Sequence, residues 1–581
     1  GETGTGKTEL AREFFRRAQE RYKDLIVAIG ECTPQGICFP YLPFSEIMAL
    51  LLGAVEGKPK EKLISPENQK RLRGFAAKAA EIAIEFSPEV IAAFNVPLGL
   101  IMKLLTATGR KKLQARLESW RRAEAPQRMN GEFFRERISG RFINLLSHLA
   151  AQTPLVLLLD DLQWADTHSI GLLSYLGRRL NGHRVLVIGI FRPHDVAAGR
   201  EGERHPLEQV YNELRRYGCH TLNLDLSEAV EEEREEIWRF VDEYIDANYG
   251  GLDGGFKRLI AERTEGNALF VVELVRDIEE RGWIEQDGAG WRQVRPIELE
   301  ELPDKIEAVI DERLGRLPDE FRHILAAASV EGEEFTAQVV ARVQGMAEDE
   351  MVDILADELG RRHQLVVEAG QYELPNIVLD LFRFRHTLFR ERLYERLTKA
   401  QRRMLHAQVG EALEALYGEE SHRIALSLVR HFHKGRDYEG VTRHVLTAAR
   451  GFAAGHAMEA TEAICRLGRE ALAKLPTSEE NLRLRVDLDL QLAKALDFLG
   501  HYDDGLELLI ETQSIAEQLD DEERIARAYH WLGTMHWRRG ENDEAIGIWR
   551  KQLALAEELE DRAEIANVCN SLGLAYDGKG E

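Results

Sequence analysis

The first eight residues combine three glycines with a lysine and a threonine in a spacing that suits phosphate binding. They read Gly1-Glu2-Thr3-Gly4-Thr5-Gly6-Lys7-Thr8, which fits the P-loop pattern G-x-x-x-x-G-K-[ST]. The glycines let the backbone turn tightly and point N–H groups at phosphate oxygens. Lys7 brings a positive charge to the outer phosphates, and the Thr8 hydroxyl is a hard ligand suited to Mg²⁺. We therefore predict that residues 1–8 bind ATP and that Lys7 also acts in catalysis. A glycine turn before an ordinary helix is the alternative, which the Lys-Thr pair disfavours.

Two adjacent carboxylates follow an apolar run in the segment Pro154-Leu-Val-Leu-Leu-Leu-Asp160-Asp161. An apolar strand that ends in two aspartates is the Walker B arrangement, and it delivers its last residues to the sheet edge where ligands bind. Asp160 would join Thr8 in holding Mg²⁺, and Asp161 would orient or deprotonate the attacking water. The alternative is a buried strand that ends in an acidic turn, which the P-loop in the same chain disfavours.

Arg192 stands at the end of another apolar run, residues 184–191, and precedes Pro193. A strand over this run would bring the guanidinium to the same sheet edge. Arg192 would there contact the γ-phosphate as a sensor and support catalysis. A surface arginine before a turn is the alternative, and the position at a strand end favours the sensor.

Apolar periodicity predicts the elements that must position these residues. A helix over residues 9–19 is expected to carry Leu10, Phe14 and Ala18 on one face and to point its N-terminal dipole at the anion. The other predicted elements are strands over residues 25–29 and 222–226, a helix capped by Ser45 that runs to Leu52, and a helical insertion over about 57–131 with a buried hairpin at 90–105.

Four stretches together resemble the signal-transduction ATPases with numerous domains, called STAND, and more closely their bacterial AAA-type branch. That branch is found next to nucleotide cyclases, protein kinases and transcription regulators. The resemblance covers nearly the whole chain, and the Asp-Asp-Leu-Gln-Trp-Ala-Asp stretch is its most specific mark. The four stretches are Gly1–Thr8, Leu158–Asp166, Phe191-Arg192-Pro193 and Gly266-Asn-Ala-Leu-Phe270.

The resemblance implies that ATP binding and hydrolysis drive a conformational switch rather than the making of a product. It also implies a further nucleotide contact, because His386 stands where the family often carries a histidine that senses the phosphates. A buried structural histidine is the alternative. One residue departs from the family pattern: Ala268 replaces the proline of its Gly-Asn-Pro motif, which leaves the backbone near the adenine freer.

The middle of the chain predicts a hairpin and then a winged-helix-like unit, as STAND proteins have. A hairpin with an Asp-Gly turn is expected over residues 283–294. The stretch is rich in Asp and Glu, which argues against DNA binding, since a recognition helix presents Lys, Arg or Asn to the groove. The elements predicted for the winged unit are helices over 306–317 and 321–328, a third helix from Val339, and strands over 365–368 and 381–386.

The C-terminal part repeats with a period of 40 residues. Leu492, Leu532 and Leu572 are 40 apart, as are Gly500, Gly540 and Gly580. Two helices per unit resemble tetratricopeptide repeats, although the usual unit has about 34 residues. Longer helices or a longer turn would account for the difference. Such an array exposes a concave binding surface, for which Tyr529, Trp531, His536 and Trp537 offer aromatic contacts.

Composition narrows the classes of partner and compartment. The net charge is −24 over 581 residues, which disfavours nucleic acid and anionic membranes as partners. The five cysteines form neither a zinc pattern nor a disulfide framework, so a reducing cytoplasm is expected. No strand precedes the P-loop and no initiator Met is present, so we expect a fragment of a longer polypeptide.

These observations predict a multidomain chain: an α/β P-loop NTPase domain with a parallel sheet, a winged-helix-like domain and an all-α tetratricopeptide solenoid. The predicted parts are the NTPase core at 1–226, a helical lid with the hairpin at 227–300, the winged-helix-like domain at 301–407, a helical linker at 408–475 and the repeats at 476–581.

The primary hypothesis is a slow regulatory ATPase that uses ATP and Mg²⁺. A protein or small-molecule ligand on the repeat array, together with the nucleotide, would control self-association or an output domain outside the chain. A motor-type ATPase that remodels protein or nucleic acid is the second hypothesis, and fast steady-state turnover would identify it. A scaffold with a vestigial ATPase is the third, and a Lys7→Ala variant that still functions would support it.

Overall fold

The computed structural model describes residues 5–32, 41–53, 65–86, 90, 94, 131–199, 204–222, 231–287, 290–375, 377–454 and 457–579. The first four residues of the predicted P-loop lie outside this part of the chain. So do most of the predicted insertion, most of the hairpin expected at 90–105, and residues 223–226 of one predicted strand.

A parallel sheet forms the centre of the N-terminal region, as predicted. Its strands are β1 (Ile26–Glu31), β2 (Leu155–Asp160) and β3 (Val185–Gly189), in the order β1-β2-β3. Side chains of β1 and β2 are almost wholly buried, as expected for parallel strands covered on both faces. Leu222, in the predicted strand 222–226, lies in no strand and is 75% exposed.

Helices cover both faces of this sheet. The alternation of β1 divides its side chains between two apolar clusters, with Ala28 in one and Val27 in the other. Helix α1 packs on the Val27 side. The helices of the N-terminal region are α1 (Lys7–Arg21), α2 (Leu42–Leu51), α3 (Pro66–Phe86), α4 (Gly131–Gln152), α5 (Thr167–Arg179), α6 (Pro193–Ala198) and α7 (Pro206–Arg216).

The buried face of α1 is not the face of Leu10 and Phe14 that the sequence analysis singled out. Leu10 and Phe14 are 49% and 48% exposed, whereas Ala11, Phe15 and Gln19 are buried. The helix is rotated so that Thr8 reaches Asp160 across the sheet edge, through a hydrogen bond of 2.9 Å. The residues that follow Thr8 by three, seven and eleven positions lie on the same face of the helix as Thr8. This orientation buries Ala11, Phe15 and Gln19.

The predicted cap of α2 is also wrong, since this helix begins at Leu42 rather than after Ser45. Pro43 occupies its first turn, where a missing N–H costs nothing. The Ser45 hydroxyl instead donates to the Phe94 carbonyl at 2.6 Å.

The middle of the chain contains the predicted hairpin and a small antiparallel sheet of order β6-β8-β7. Helix α15 follows the last strand of that sheet directly. The elements are α8 (Glu231–Asn248), α9 (Gly254–Thr264), α10 (Ala268–Glu280), β4 (Ile284–Asp287), β5 (Gly290–Gln293), α11 (Ile306–Arg316), α12 (Asp319–Glu331), β6 (Glu334–Thr336), α13 (Ala337–Gln344), α14 (Glu348–Asp353, continued as a π-helix over Ile354–Arg362), β7 (Val366–Leu374), β8 (Ile377–Phe384) and α15 (Thr387–Arg396).

From residue 408 onward the described residues form helices and no strand. Helices α22 and α23 have 17 residues each and are separated by three residues, so longer helices account for the 40-residue period. Gly500 and Gly540 end equivalent helices in the left-handed conformation that glycine favours. The helices are α16 (Lys399–Tyr417), α17 (Ala425–Gly435), α18 (Tyr438–Ala454), α19 (Met458–Leu472), α20 (Glu479–Leu499), α21 (Tyr502–Gln518), α22 (Glu522–Arg538), α23 (Asn542–Glu558) and α24 (Arg562–Lys579).

The four aromatic residues named above lie on α22 and are all half-buried. Trp531 packs against the main apolar core and Trp537 against a small terminal cluster. Among the described helices, none has the length and apolar character needed to span a membrane.

Candidate functional site

The candidate site begins where the P-loop runs into α1. Gly6 has φ +79°, a left-handed conformation, and precedes the first helical residue, Lys7. The N–H groups of the first helical turn have no partners within the helix and point toward its N-terminal end. Lys7 Nζ lies 3.4 Å from Thr5 Oγ1. This end of α1 therefore presents N–H groups and an ammonium, both suited to phosphate.

The end of β2 meets this turn directly. Thr8 Oγ1 donates to Asp160 Oδ2 at 2.9 Å, and the N–H of Asp161 donates to Asp160 Oδ1 at 3.0 Å. Both donors are neutral, and Asp160 is buried. Burial, followed by the negative charges of Asp161 and Glu31, raises the pKa of Asp160 to about 7. A hydroxyl and a carboxylate held side by side in a negative field suit a hard divalent cation.

Asp161 begins the turn that follows β2. Its backbone is left-handed, with φ +54°, which aspartate tolerates better than most residues. Its Oδ1 accepts from Gln163 Nε2 at 2.8 Å and lies 3.9 Å from Arg192 Nε. The Asp161 carboxylate is therefore oriented by an amide and a guanidinium.

Arg192 reaches this group from the segment after β3, as its position in the sequence predicted. The residue is buried, and its N–H donates to Gln163 Oε1 at 3.1 Å. Its guanidinium also lies 3.6 Å from Asp195 Oδ2. The structure thus brings Lys7, Thr8, Asp160, Asp161 and Arg192 to one edge of the sheet.

His386, which is far away in sequence, lies within the electrostatic field of the same site. It caps α15, where its Nδ1 accepts from the N–H of Leu388 at 3.2 Å. Burial, followed by the positive charges of Arg192 and Lys7, lowers its pKa to about 4. The ring is therefore neutral at pH 7 and lies within the field of both cations.

The winged-helix-like unit adds two carboxylates that the sequence reasoning missed. Burial, followed by the charges of Glu31 and Asp161, raises the pKa of Glu333 to about 7. Burial also raises the pKa of Glu391, against the opposing charge of Arg192. No motif or spacing marks either glutamate, because each meets the site only through folding.

Asn267 and Ala268, in the stretch that resembles the family's Gly-Asn-Pro motif, form the start of α10. Asn267 is its N-cap, and its Oδ1 accepts from the Phe270 N–H at 3.1 Å. Ala268 takes the first helical position, which suits proline.

The C-terminal helices also contact the N-terminal region. His168, close to the Walker B turn, has Nε2 3.2 Å from Glu459 Oε2 on α19. The half-buried Phe498 of α20 packs against the apolar cluster that contains Ala28 and Phe44. The C-terminal helices α16 to α24, called the array below, therefore contact the domain that carries the candidate site through α19 and α20.

Comparison with known proteins agrees with this geometry for the N-terminal region. Residues 1–188 match the AAA ATPase domain family. A search of curated proteins finds no match.

Two solved structures are similar at low identity. One is a STAND protein with a tetratricopeptide repeat sensor from Pyrococcus horikoshii, with 12% identity and a TM-score of 0.29, covering 77% of this chain and 69% of that chain. The other is BtubC (BKLC) from P. vanneervenii, with 17% identity and a TM-score of 0.25, covering 31% of this chain and 74% of that chain. The family match spans the residues that bring Thr8 to Asp160, so the N-terminal part of the chain carries an AAA-type ATPase domain.

Proposed function

We propose that the chain is a regulatory switch driven by slow ATP hydrolysis. The observation that carries the proposal is the hydrogen bond of 2.9 Å between Thr8 and Asp160, with His386 in the field of Lys7 and Arg192 beside it. The hydrogen bond would join a phosphate-binding turn to a metal-binding carboxylate. His386, from a later unit, lies within the electrostatic field of two residues of this site.

The residues divide the chemistry of hydrolysis among them. Thr8 and Asp160 would hold Mg²⁺, which supplies charge neutralisation at the phosphates. Residues 1–8 bind the triphosphate, with Lys7 at its outer phosphates. Asp161 orients the water whose oxygen bonds to the γ-phosphorus while the bond to the β–γ bridging oxygen breaks. The water proton passes to Asp161 or to the released phosphate, and Arg192 stabilises the transferring phosphoryl group.

The winged-helix-like unit would couple the bound nucleotide to the conformation of the chain. Three residues of this unit lie within the electrostatic field of the site: His386 and Glu391 in that of Arg192, and Glu333 in that of Asp161. The neutral His386 ring carries its proton on Nε2, because its Nδ1 accepts from the Leu388 N–H, so it could donate to a γ-phosphate, which would also repel both glutamates. Nucleotide state therefore changes how well the unit packs on the site, which is what a switch requires.

A ligand bound to the array would be the second signal, beside the nucleotide, that controls the conformation. His168–Glu459 and the Phe498 contact hold the array against the ATPase domain. A protein or small-molecule ligand on the array would release these contacts, and the opened chain would self-associate or free an output domain outside it. Nearly complete conversion of such a switch requires about 5.5 kcal/mol of differential binding, shared by nucleotide and ligand.

The test combines nucleotide binding, turnover and sedimentation. The protein should bind ATP, hydrolyse it slowly, and sediment differently with ADP and with a non-hydrolysable ATP analogue. A Glu459→Lys variant should loosen the array contact and speed nucleotide exchange. Glu470→Lys, an exposed residue on the same helix, is the matched control. Unchanged sedimentation in every nucleotide state and in the Glu459 variant would refute the switch.

A further inference from the structure

Gln163 lies between two of the residues that we assign to hydrolysis. Its side chain is buried, with 1% of the residue exposed. Its Nε2 donates to Asp161 Oδ1 at 2.8 Å while its Oε1 accepts from the Arg192 N–H at 3.1 Å. One amide therefore ties the carboxylate after β2 to the segment after β3.

The main chain of Gln163 is held in place as well. His205 Nδ1 accepts from the N–H of Leu207 at 3.1 Å, so the neutral ring carries its proton on Nε2. That Nε2 donates to the Gln163 carbonyl at 3.0 Å, and the His205 ring is buried. The His205 ring therefore holds the backbone of the turn that carries the Gln163 amide.

We propose that Gln163 is a positioning residue for ATP hydrolysis, which sets the Asp161 carboxylate in register with Arg192 so that both act on the same phosphoryl group. This inference rests on the proposed function. The Arg192 guanidinium is 3.9 Å from Asp161, so the amide at 2.8 Å is the closer restraint on the carboxylate.

Glutamine suits this place because its amide donates and accepts at the same time. Glutamate would still accept from Arg192 but would set a like charge against Asp161. Methionine would match the length of the side chain and make neither bond.

The experiment measures steady-state ATP turnover against ATP concentration for the unsubstituted protein, Gln163→Met and Gln163→Glu. Gln163→Met should lower kcat about 10- to 100-fold, because a hydrogen bond to a charged group is lost. Its KM should stay within about threefold, since Lys7 and Thr8 are untouched. Gln163→Glu should lose at least as much kcat.

Gln338→Met is the matched control. Gln338 is buried, and its amide donates to Asp380 Oδ2 at 2.8 Å and accepts from the Asp380 N–H at 2.9 Å. It makes the same two kinds of bond within the winged-helix-like unit. Gln338→Met should lower the melting temperature and leave kcat and KM unchanged.

Two results with Gln163→Met would overturn the role. They are a Gln163→Met protein that keeps its kcat, and one whose kcat falls no further than that of Gln338→Met. If Gln163→Met does not fold, Gln163→Glu carries the test, and unchanged kcat there overturns the role. No turnover in the unsubstituted protein refutes hydrolysis and positioning together, whereas normal turnover that ignores both Gln163 changes refutes positioning alone.

Discussion

The ATPase domain and the helical array bury charge in opposite ways. In the array, Asp497 is buried against Arg538, with two nitrogen–oxygen contacts of 2.8 and 3.2 Å. Asp487 pairs in the same way with Arg524 at 2.7 Å. In the ATPase domain, the two donors to Asp160 are the neutral Thr8 hydroxyl and a backbone N–H. Array carboxylates are neutralised within the fold, whereas Asp160 is not.

Several ionisable groups of the candidate site have pKa values shifted away from their charged forms. Asp160 and Glu333 both have a pKa raised to about 7 in the company of other carboxylates. His386 has a pKa lowered to about 4 in the company of Lys7 and Arg192. A bound cation would offset the negative charge around Asp160, and a bound phosphate would offset the positive charge of Lys7 and Arg192. The two array aspartates therefore have arginine partners within the fold, whereas the donors to Asp160 carry no charge.

The largest effect is expected in the array. Arg538→Met leaves the Asp497 carboxylate buried without its partner, which should cost about 3–5 kcal/mol of unfolding free energy. The urea midpoint of the array measures it. Adding Asp497→Asn should recover much of the loss, because the uncompensated charge is then removed. If Arg538→Met is as stable as the parent protein, the Arg538 charge does not stabilise the buried Asp497 carboxylate.

The reverse experiment concerns Asp160. Asp160→Asn should lower ATP turnover about 100- to 1000-fold, because it removes a charge that acts on the developing transition state. It should not destabilise the domain, since burial disfavours the charged carboxylate. Asp497→Asn is the control in the array and should leave turnover per folded molecule unchanged. Strong destabilisation by Asp160→Asn would mean that Asp160 is a structural carboxylate.

Much of the ATPase domain could be predicted from the sequence, because its apolar runs are long and its motifs lie at strand ends. The parallel strands, Asp160 opposite Thr8, and Arg192 at the sheet edge all follow from that logic. The buried face of α1 could not be predicted, because Leu10/Phe14 and Ala11/Phe15 have the same helical spacing. Contacts with distant residues fix the rotation, among them the bond from Thr8 to Asp160, 152 residues away, and the packing of Phe15 against the sheet.

Contacts between distant segments are the other part that sequence could not provide. Gln163 belongs to the Asp-Asp-Leu-Gln-Trp-Ala-Asp stretch, but its hydrogen bond to Arg192 joins residues that are 29 positions apart. Glu333 carries no motif, and its approach to Asp161 depends on how the winged-helix-like unit packs. Local periodicity carries no information about such packing.

A smaller effect is expected from acid in the nucleotide-free protein. The pKa of His386 is lowered from 6.5 to about 4, so its contribution to packing is present above pH 6.5 and is lost as the pH falls toward 4. The equilibrium between the chain with this unit packed on the ATPase site and the chain with it released should shift toward release by up to about tenfold per pH unit in this window. Small-angle scattering at pH 7.5, 6 and 5 measures the opening.

The matched variant is His386→Asn, which keeps an N-cap for α15 and removes the titration. The difference between parent and variant isolates His386 from Asp160 and Glu333, whose raised pKa values act in the opposite direction. Identical pH profiles for parent and variant would remove His386 from the coupling.

The smallest effect is expected from Ala268→Pro, which restores the residue of the family motif. Position 268 is the first of α10, where the N–H has no helical partner and proline fits without loss. The preceding Asn267 has ψ 110°, in the extended region that a following proline requires. The change should therefore raise the unfolding free energy by about 0.4–1 kcal/mol through a stiffer unfolded chain. ATP affinity, measured in parallel, separates two roles for this residue: a gain in stability alone marks a helix start, whereas tighter ATP binding places the start of α10 against the nucleotide.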